Sequence, residues 1–352
     1  MPDNVGIVGA GMITAVGLSA AETAASVRAG SARFAESSIL DRWFAPFVLA
    51  EVPEDGLAEL AEDVAGAALT AREARMLRLA TVALAGCLTS LPQGAPPPGL
   101  SLALPETATT RPLNHEEFLK YLLQQTGGRF DPLWSDASHR GRAGGLNAIG
   151  QASELIRRGR AKFMIAGGVD THRDPYVLGT LDMEKRVKSA ANLDGFIPGE
   201  GAAFLLLADR AAARDAGLTP WGTVSVVAQT IESGHLYSEE PYRGDGLAQA
   251  VQQLVQLGAL VAPIQEVYSS MNGENHWAKE WGVARIRSNR TFSAEHGIHH
   301  PADCYGDTGA ACGPLMVGLA AVGMKDGVRR SPALVYASSD RGPRAALAVS
   351  AT

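Results

Sequence analysis

The sequence predicts an α/β protein in which helices pack on mainly parallel sheets. Three observations carry that reading. Short apolar runs of strand length alternate with longer segments of helical periodicity along the chain. Glycine makes up 39 of 352 residues, above the usual roughly 7%, and gathers at the ends of those apolar runs, where backbones turn or pack closely. Two stretches, Gly144 to Leu155 and Ala310 to Ala321, run for helical length almost without charge, which predicts helices sandwiched between layers.

The elements follow in order. Val5 to Val8 is a buried strand, and Ser19 to Arg28 a helix opened by a serine cap. Arg72 to Leu91 has apolar residues three and four apart and reads as a long helix. Leu91 to Gly99, rich in proline and glycine, is a surface loop too short to separate domains. Leu100 to Leu104 is a strand, His115 to Gln125 a helix, and Gly144 to Arg157 the first buried helix. Lys162 to Ala166 and Ala203 to Leu207 are strands. A second series then runs through strand Thr223 to Ala228, helix Ala248 to Leu257, strand Glu266 to Met271 and helix Gly309 to Met324. Strands Ala333 to Ala337 and Ala345 to Ser350 close it. The expectation is one compact unit over 1–352, with halves at 1–210 and 211–352.

Composition narrows the function. Hydrophobic residues at 46% and charged residues at 19% give a large core and exclude a disordered chain. A net charge of −6, from 31 Lys plus Arg against 37 Asp plus Glu, argues against a nucleic-acid partner. Cys87, Cys304 and Cys312 form no metal-binding spacing, so no metal and no cofactor is expected, and their number suits a reducing compartment. The opening MPDNVGIVGAGM lacks the order of a signal peptide, and no run of 18 apolar residues occurs. These readings predict a cytoplasmic protein with no membrane contact.

Four segments carry a resemblance. Val5 to Gly17 (VGIVGAGMITAVG), Met164 to Asp170 (MIAGGVD), Asp194 to Ala202 (DGFIPGEGA) and Gly306 to Gly313 (GDTGAACG) resemble, in order and across nearly the whole chain, the landmark segments of β-ketoacyl synthases. The resemblance implies a thiolase-like five-layered αβαβα sandwich of two pseudo-repeated halves, normally a homodimer. It also implies a cysteine at the start of the first buried helix, whose thiolate the helix N-terminus favours. Two histidines, or a His/Asn pair, and a backbone oxyanion hole complete the chemistry that the resemblance implies. Within DGFIPGEGA, Gly195, Phe196, Gly199, Glu200 and Gly201 are expected to be structural, the glycines turning tightly and the glutamate tying loops together.

The reactive positions depart from that pattern. Arg142 stands where the cysteine belongs, Asn272 replaces the first histidine, Asp307 the second, and Ala302 the lysine. The gating loop near the end becomes Ser339 to Arg344 (SDRGPR). A guanidinium has no proton to lose at neutral pH and forms no thioester. Asp307 would repel a malonyl carboxylate or enolate. The expectation is a scaffold without the family's chemistry, in which Arg142 pairs with Asp307 or Glu274 and plugs the old pocket, because a cation at a helix N-terminus costs about 0.3–1 kcal/mol unless an anion answers it.

Other residues invite sharper readings. Asp136, Ser138 and His139 suggest a triad but read better as a polar loop with a helix cap. His299, His300, Asp303 and Cys304 suggest a metal but lack a second cluster. Cys312, in an apolar helix, reads as core. Gly234 to Gly244 (GHLYSEEPYRG) has the composition of a recognition surface, and Arg329, Arg330, Arg341 and Arg344 form a basic cluster in sequence. For function, the resemblance implies first a non-catalytic adaptor or co-chaperone for a secretion effector of a type VI system, since shortened relatives accompany such genes. It implies second an auxiliary, chain-length-factor-like partner of a ketosynthase subunit, and third a residual acyltransferase, hydrolase or decarboxylase.

Overall fold

The computed structural model describes residues 5–107, 113–260 and 262–352, so the first four residues of the opening segment lie outside it. The first series is β1 (Val5–Thr14), α1 (Ala20–Arg28), β2 (Ala35–Leu40), β3 (Pro46–Leu49), α2 (Glu62–Ala65), α3 (Ala71–Leu88) and β4 (Gly99–Leu104). It continues with α4 (His115–Gln125), β5 (Asp131–His139), α5 (Gly141–Arg157), β6 (Phe163–Thr171), α6 (Pro175–Met183), β7 (Glu200–Asp209) and α7 (Arg210–Asp215). The second is β8 (Gly222–Val224), β9 (Ala228–Ile231), α8 (Asp245–Gln256), β10 (Ile264–Ser269), α9 (Asn275–Arg287) and β11 (Phe292–His299). It ends with α10 (Ala302–Tyr305), α11 (Cys312–Lys325), β12 (Ala333–Ser338) and β13 (Pro343–Ser350).

Local chemistry sets several boundaries. Ser19 accepts from the Glu22 amide to start α1, and Thr70 with Glu73 forms a capping box on α3. Asp174 caps α6, with Pro175 in its first turn. The expected strand Thr223 to Ala228 is instead two, β8 and β9, broken where Ser225 accepts from the Ala348 amide at 2.9 Å. Both pieces pair with β13, so the interruption is a local bulge in one ladder.

The strands join in the order β5-β4-β6-β7-β1-β8-β13-β12-β10-β11. The expectation of mainly parallel pairing is corrected. β5, β4 and β6 are parallel, as are β11, β10 and β12, but β7, β1, β8 and β13 join their neighbours antiparallel. Helices α5 and α11 pack on each other between β4, β6 and β7 on one side and β12 and β13 on the other. α3 and α4 cover one outer face, and α8 with α9 the opposite one. The result is a helix–sheet–helix–sheet–helix sandwich.

Strand periodicity builds this layering. On β7, Ala203, Leu205 and Leu207 face the central helices, while Phe204, Leu206 and Ala208 pack under α3. On β12, Ala333, Val335 and Ala337 face inward, and Leu334 and Tyr336 join the outer core with Trp281. Both faces are buried, which is why these strands read as unbroken apolar runs.

The central helices touch through small residues. A Cβ on Gly145 would lie 2.1 Å from Pro314 Cδ of α11 and 3.0 Å from the Ala310 carbonyl. Alanine would gain about 1 kcal/mol in helix propensity, but overpacking a fixed helix pair costs about 1–3 kcal/mol. Gly145→Ala is therefore expected to lower the urea midpoint at unchanged slope. A raised midpoint would show that the pair separates freely.

Candidate functional site at the start of the buried helix

Helix α5 begins one residue after β5, at Gly141, whose φ of +57° favours glycine. Arg140 gives its N-terminus no side-chain cap. The cap comes from the β12–β13 loop, where the Ser339 hydroxyl accepts from the Ala143 amide at 2.9 Å and donates to the Arg140 carbonyl. The first turn, Gly141 to Gly144, carries no thiol or hydroxyl of its own.

Arg142 is 4% exposed. Its Nε donates to Asp307 Oδ2 at 2.8 Å, its Nη2 to the same oxygen, and its Nη1 to Asp340 Oδ1. The Phe196 and Trp277 rings flank it, 5.9 and 5.5 Å from the guanidinium carbon. Burial pulls the Arg142 pKa down, but Asp307 and Asp340 outweigh it and hold the group well above its ordinary value. Burial likewise pushes Asp307 up, and Arg142 more than reverses this. Burial raises Asp340 of the β12–β13 loop too, yet Arg142 and Arg186 hold it far below the usual carboxylate range.

Glu274 does not reach Arg142. It takes Arg186 in a two-pronged pair, Nε to Oε1 at 2.8 Å and Nη2 to Oε2 at 2.9 Å. Arg186 also holds Asp340, at 2.7 and 3.0 Å, and donates to the Tyr237 hydroxyl at 3.1 Å. The Asn272 amide bridges Asp307 and Glu274 at 2.7 and 3.0 Å, and Trp277 Nε1 donates to Glu274 at 2.9 Å. Two guanidinium groups thus face three carboxylates. Sequence reasoning misses Arg186 and Asp340, although an acid inside SDRGPR is a visible signal. Ala302 lies on α10 beside a void of about 10 Å³ shared with Tyr305, Asp307 and Cys312.

Against the network, with Arg142, Tyr237 and Asp340 in its wall, a pocket of about 70 Å³ opens beside Glu106, Gly141, Asp170 and His172. Glu106 follows β4, and burial, then the Asp340 charge, pushes its carboxyl up to about 7. Burial and Asp307 push Cys312 up to about 12, so its thiol stays protonated and a poor nucleophile.

The DGFIPGEGA segment is tied in closely. Glu200, 1% exposed, takes Arg75, the Thr171 hydroxyl and the Val52 amide. Cβ atoms on Gly195, Gly199 and Gly201 would come within 2.8 Å of backbone oxygens of Arg186, Tyr305 and Ile13. Phe196 lies under both site arginines.

Several expectations are corrected. Asp136, Ser138 and His139 lie on the edge strand β5 and not in a loop, since their partners are backbone groups of β4. The four arginines form no cluster. Arg329 and Arg330 precede β12 while Arg341 and Arg344 follow it, a strand length of roughly 20 Å away. Arg344 is buried against Glu280, and Arg330 pairs with Glu266. Tyr237 and Tyr242 fold onto Arg186 and His276 and are not free surface groups. His299 sits on Glu266 at 2.8 Å and against Tyr268.

Two tests follow from the charges. Removing one partner of a buried pair leaves an unanswered charge, so Asp307→Ala is expected to cost about 3–5 kcal/mol by chemical denaturation, and Arg142→Met with Asp307→Leu to recover most of it. Equal losses in the single and double variants would contradict that coupling. The raised Glu106 carboxyl makes the folded chain hold its proton longer than the unfolded chain, so stability falls as pH rises from 4.5 to about 7. Glu106→Gln should flatten that slope and stabilise the protein at pH 8 by up to about 3 kcal/mol. An unchanged pH profile would place Glu106 in water.

Comparison with known proteins places this geometry. Residues 141–213, beginning at α5, match the family Beta-ketoacyl synthase, N-terminal domain. The chain is 28% identical over 205 residues to the actinorhodin polyketide putative β-ketoacyl synthase 2 of Streptomyces coelicolor, a match covering 53% of this chain and 47% of that protein. It is 30% identical over 119 residues to the tetracenomycin polyketide synthase ketoacyl synthase alpha subunit of Streptomyces glaucescens, covering 30% of this chain and 28% of that one. The aligned stretches thus span less than half of these relatives. In structure it matches the ishigamide ketosynthase/chain length factor over 100% of both chains, at TM-score 0.81 and 17% identity. It also matches AntDE:AntF, a type II polyketide synthase acyl-carrier protein in complex with its ketosynthase, over 100% of both chains at TM-score 0.76 and 16% identity. With the layered sandwich and the ordered landmark segments, these matches lead to one conclusion: the chain has the thiolase-like fold of solved ketosynthases and is similar in sequence, over part of its length, to β-ketoacyl synthases.

Proposed function

We propose that the chain is an auxiliary, chain-length-factor-like subunit that works by pairing with a catalytic ketosynthase subunit and forms no acyl intermediate itself. One observation carries this reading: Arg142 occupies the first turn of α5, where the family resemblance implies the nucleophile, held by Asp307 and Asp340. A guanidinium committed to two carboxylates offers neither a leaving proton nor a lone pair for acyl transfer. Asn272 and Asp307, the counterparts of the histidines, are spent on the same network. None of the relatives named above is a secretion protein, so nothing supports the effector-adaptor reading over this one.

The edge strand β5 suits a partner. Among the described residues it ends the sheet, pairing with β4 alone, and it exposes Leu133 (88%) and Trp134 (46%). Beside them a groove of about 570 Å³ runs past Gly150, Leu155 and Gln229. An unpaired edge with exposed large apolar side chains invites strand addition by another chain. A ketosynthase subunit is the proposed occupant, and self-pairing the competing one.

The test mixes the purified chain with a catalytic ketosynthase subunit from the same host and weighs the complex by native mass spectrometry. A one-to-one heteromer lost on Leu133→Asp is expected, with no acyl adduct and no carbon dioxide release when the chain alone meets acetyl and malonyl thioesters. A stable homodimer indifferent to the ketosynthase, or an acylated chain, would overturn the proposal.

A further inference from the structure

On the outer layer that α8 and α9 form, a hollow of about 420 Å³ opens between the second half of α8 and the residues that end α9. That volume suits a small molecule. Its wall differs in charge from the other hollows described above. Carboxylates line the pocket at the start of α5, through Glu106, Asp170 and Asp340, and the groove beside β5, through Asp136 and Glu154. Here no acid does so among the described residues. Arg287 and Arg290 enter from the end of α9 and the turn after it, with the side-chain amides of Gln252, Gln256 and Asn289 around them. In a chain of net charge −6, two guanidinium groups without a carboxylate make a local reversal of sign.

An ordinary structural role covers only part of this. A cation in the last turn of a helix answers its dipole, and Arg285 and Arg287 hold that place on α9. Arg287 also donates through Nη1 to Asp245 at the start of α8, but with the two side chains 43% and 42% exposed such a pair is weak. Its Nε and Nη2 engage nothing among the described residues. Arg290 lies past the helix, is exposed, and forms no ion pair among them.

A hydroxyl gives the second, independent sign. Ser288 ends α9 and precedes the turn Asn289–Thr291. Serine at such a place usually accepts from a backbone amide, but this side chain caps nothing. The residue is only 7% exposed, and its Oγ has no hydrogen-bond partner. A buried hydroxyl so placed is destabilising unless something answers it, and this one lines the hollow.

Two forked cations, a free hydroxyl and three amides suit a group with three acceptor oxygens and a charge of about −2 better than a carboxylate with two oxygens. We infer that the hollow binds the phosphate monoester of a small polar molecule, with Arg287 and Arg290 on the phosphate, Ser288 donating to it, and the amides taking hydroxyl groups of the remainder. The site shares no lining residue with the groove beside β5 and stands whether or not the subunit pairing does.

The test titrates the full-length chain calorimetrically, in buffer free of phosphate, with ribose 5-phosphate and with ribose. The phosphate ester should bind roughly tenfold or more tighter, and inorganic phosphate should displace it where acetate does not. Arg290→Ala should weaken it by about tenfold, and Arg290→Lys should restore only part, since the charge returns without the fork. Ser288→Ala should weaken it several-fold while holding or raising the melting temperature of the free protein, because an unanswered hydroxyl is gone. A structural serine would instead lower that temperature and leave binding intact. Leu133→Asp should leave the binding unchanged, which separates this site from the subunit edge. Equal affinity for ribose and its phosphate, no binding of ribose 5-phosphate, acetate displacing it as well as phosphate does, indifference to Arg290→Ala, or tighter binding of a phosphoserine peptide would each overturn the inference.

Discussion

A permanently charged guanidinium in the middle of the sandwich is the constraint that the rest of the site answers. Arg142 stands at the positive end of α5, the end that suits anions. The dipole term alone, about 0.3–1 kcal/mol, is small beside the several kcal/mol that withdrawing an ion from water costs. Carboxylates must therefore come to it from elsewhere in the chain. Asp307 arrives from the turn before α11 and Asp340 from the β12–β13 loop. Asp340 then brings in Arg186, which brings in Glu274. Each ion recruits the next until Asn272, Trp277 and Tyr237 satisfy what remains.

Stability does not explain such a network. Replacing buried ion pairs by well-packed apolar residues is often neutral or stabilising by about 1–4 kcal/mol. What the network supplies is position. The β12–β13 loop is fixed at three points: Ser339 on the start of α5, Asp340 on two arginines, and Arg344 on Glu280 and on carbonyls of its own loop. A loop so held cannot swing without stripping partners from buried charges. The pocket beside it, about 70 Å³, is lined by Arg142 and Asp340 of this same network.

Much of the sandwich was legible because its strands are buried on both faces. β6, β7, β12 and β13 appear as apolar runs, and α5 and α11 as charge-free helical stretches. What the sequence hid lies at the rims. β5, with Asp131, Pro132 and Asp136, reads as loop because one edge and much of its surface stay wet. β2 alternates weakly and is half exposed, and α9 carries charge on all sides of its two buried tryptophans. The site divides in the same way. Arg142, Asn272 and Asp307 were found because family landmarks mark their places. Arg186 and Asp340 lie 154 residues apart, and no local pattern records that their side chains meet.

The link between edge and plug is the last step. β5 ends at His139 and α5 begins at Gly141, so one residue separates the exposed strand from the turn that carries Arg142. That residue, Arg140, gives its carbonyl to Ser339. A chain added along β5 pulls on the same peptide that the loop hydroxyl grips. Interiors packed at crystal density transmit such displacements and do not absorb them. The network at the start of α5 therefore fixes the inner end of β5 as well as the helix, so that the exposed edge is held in one shape, and an edge already ordered leaves less ordering cost to be met in any association.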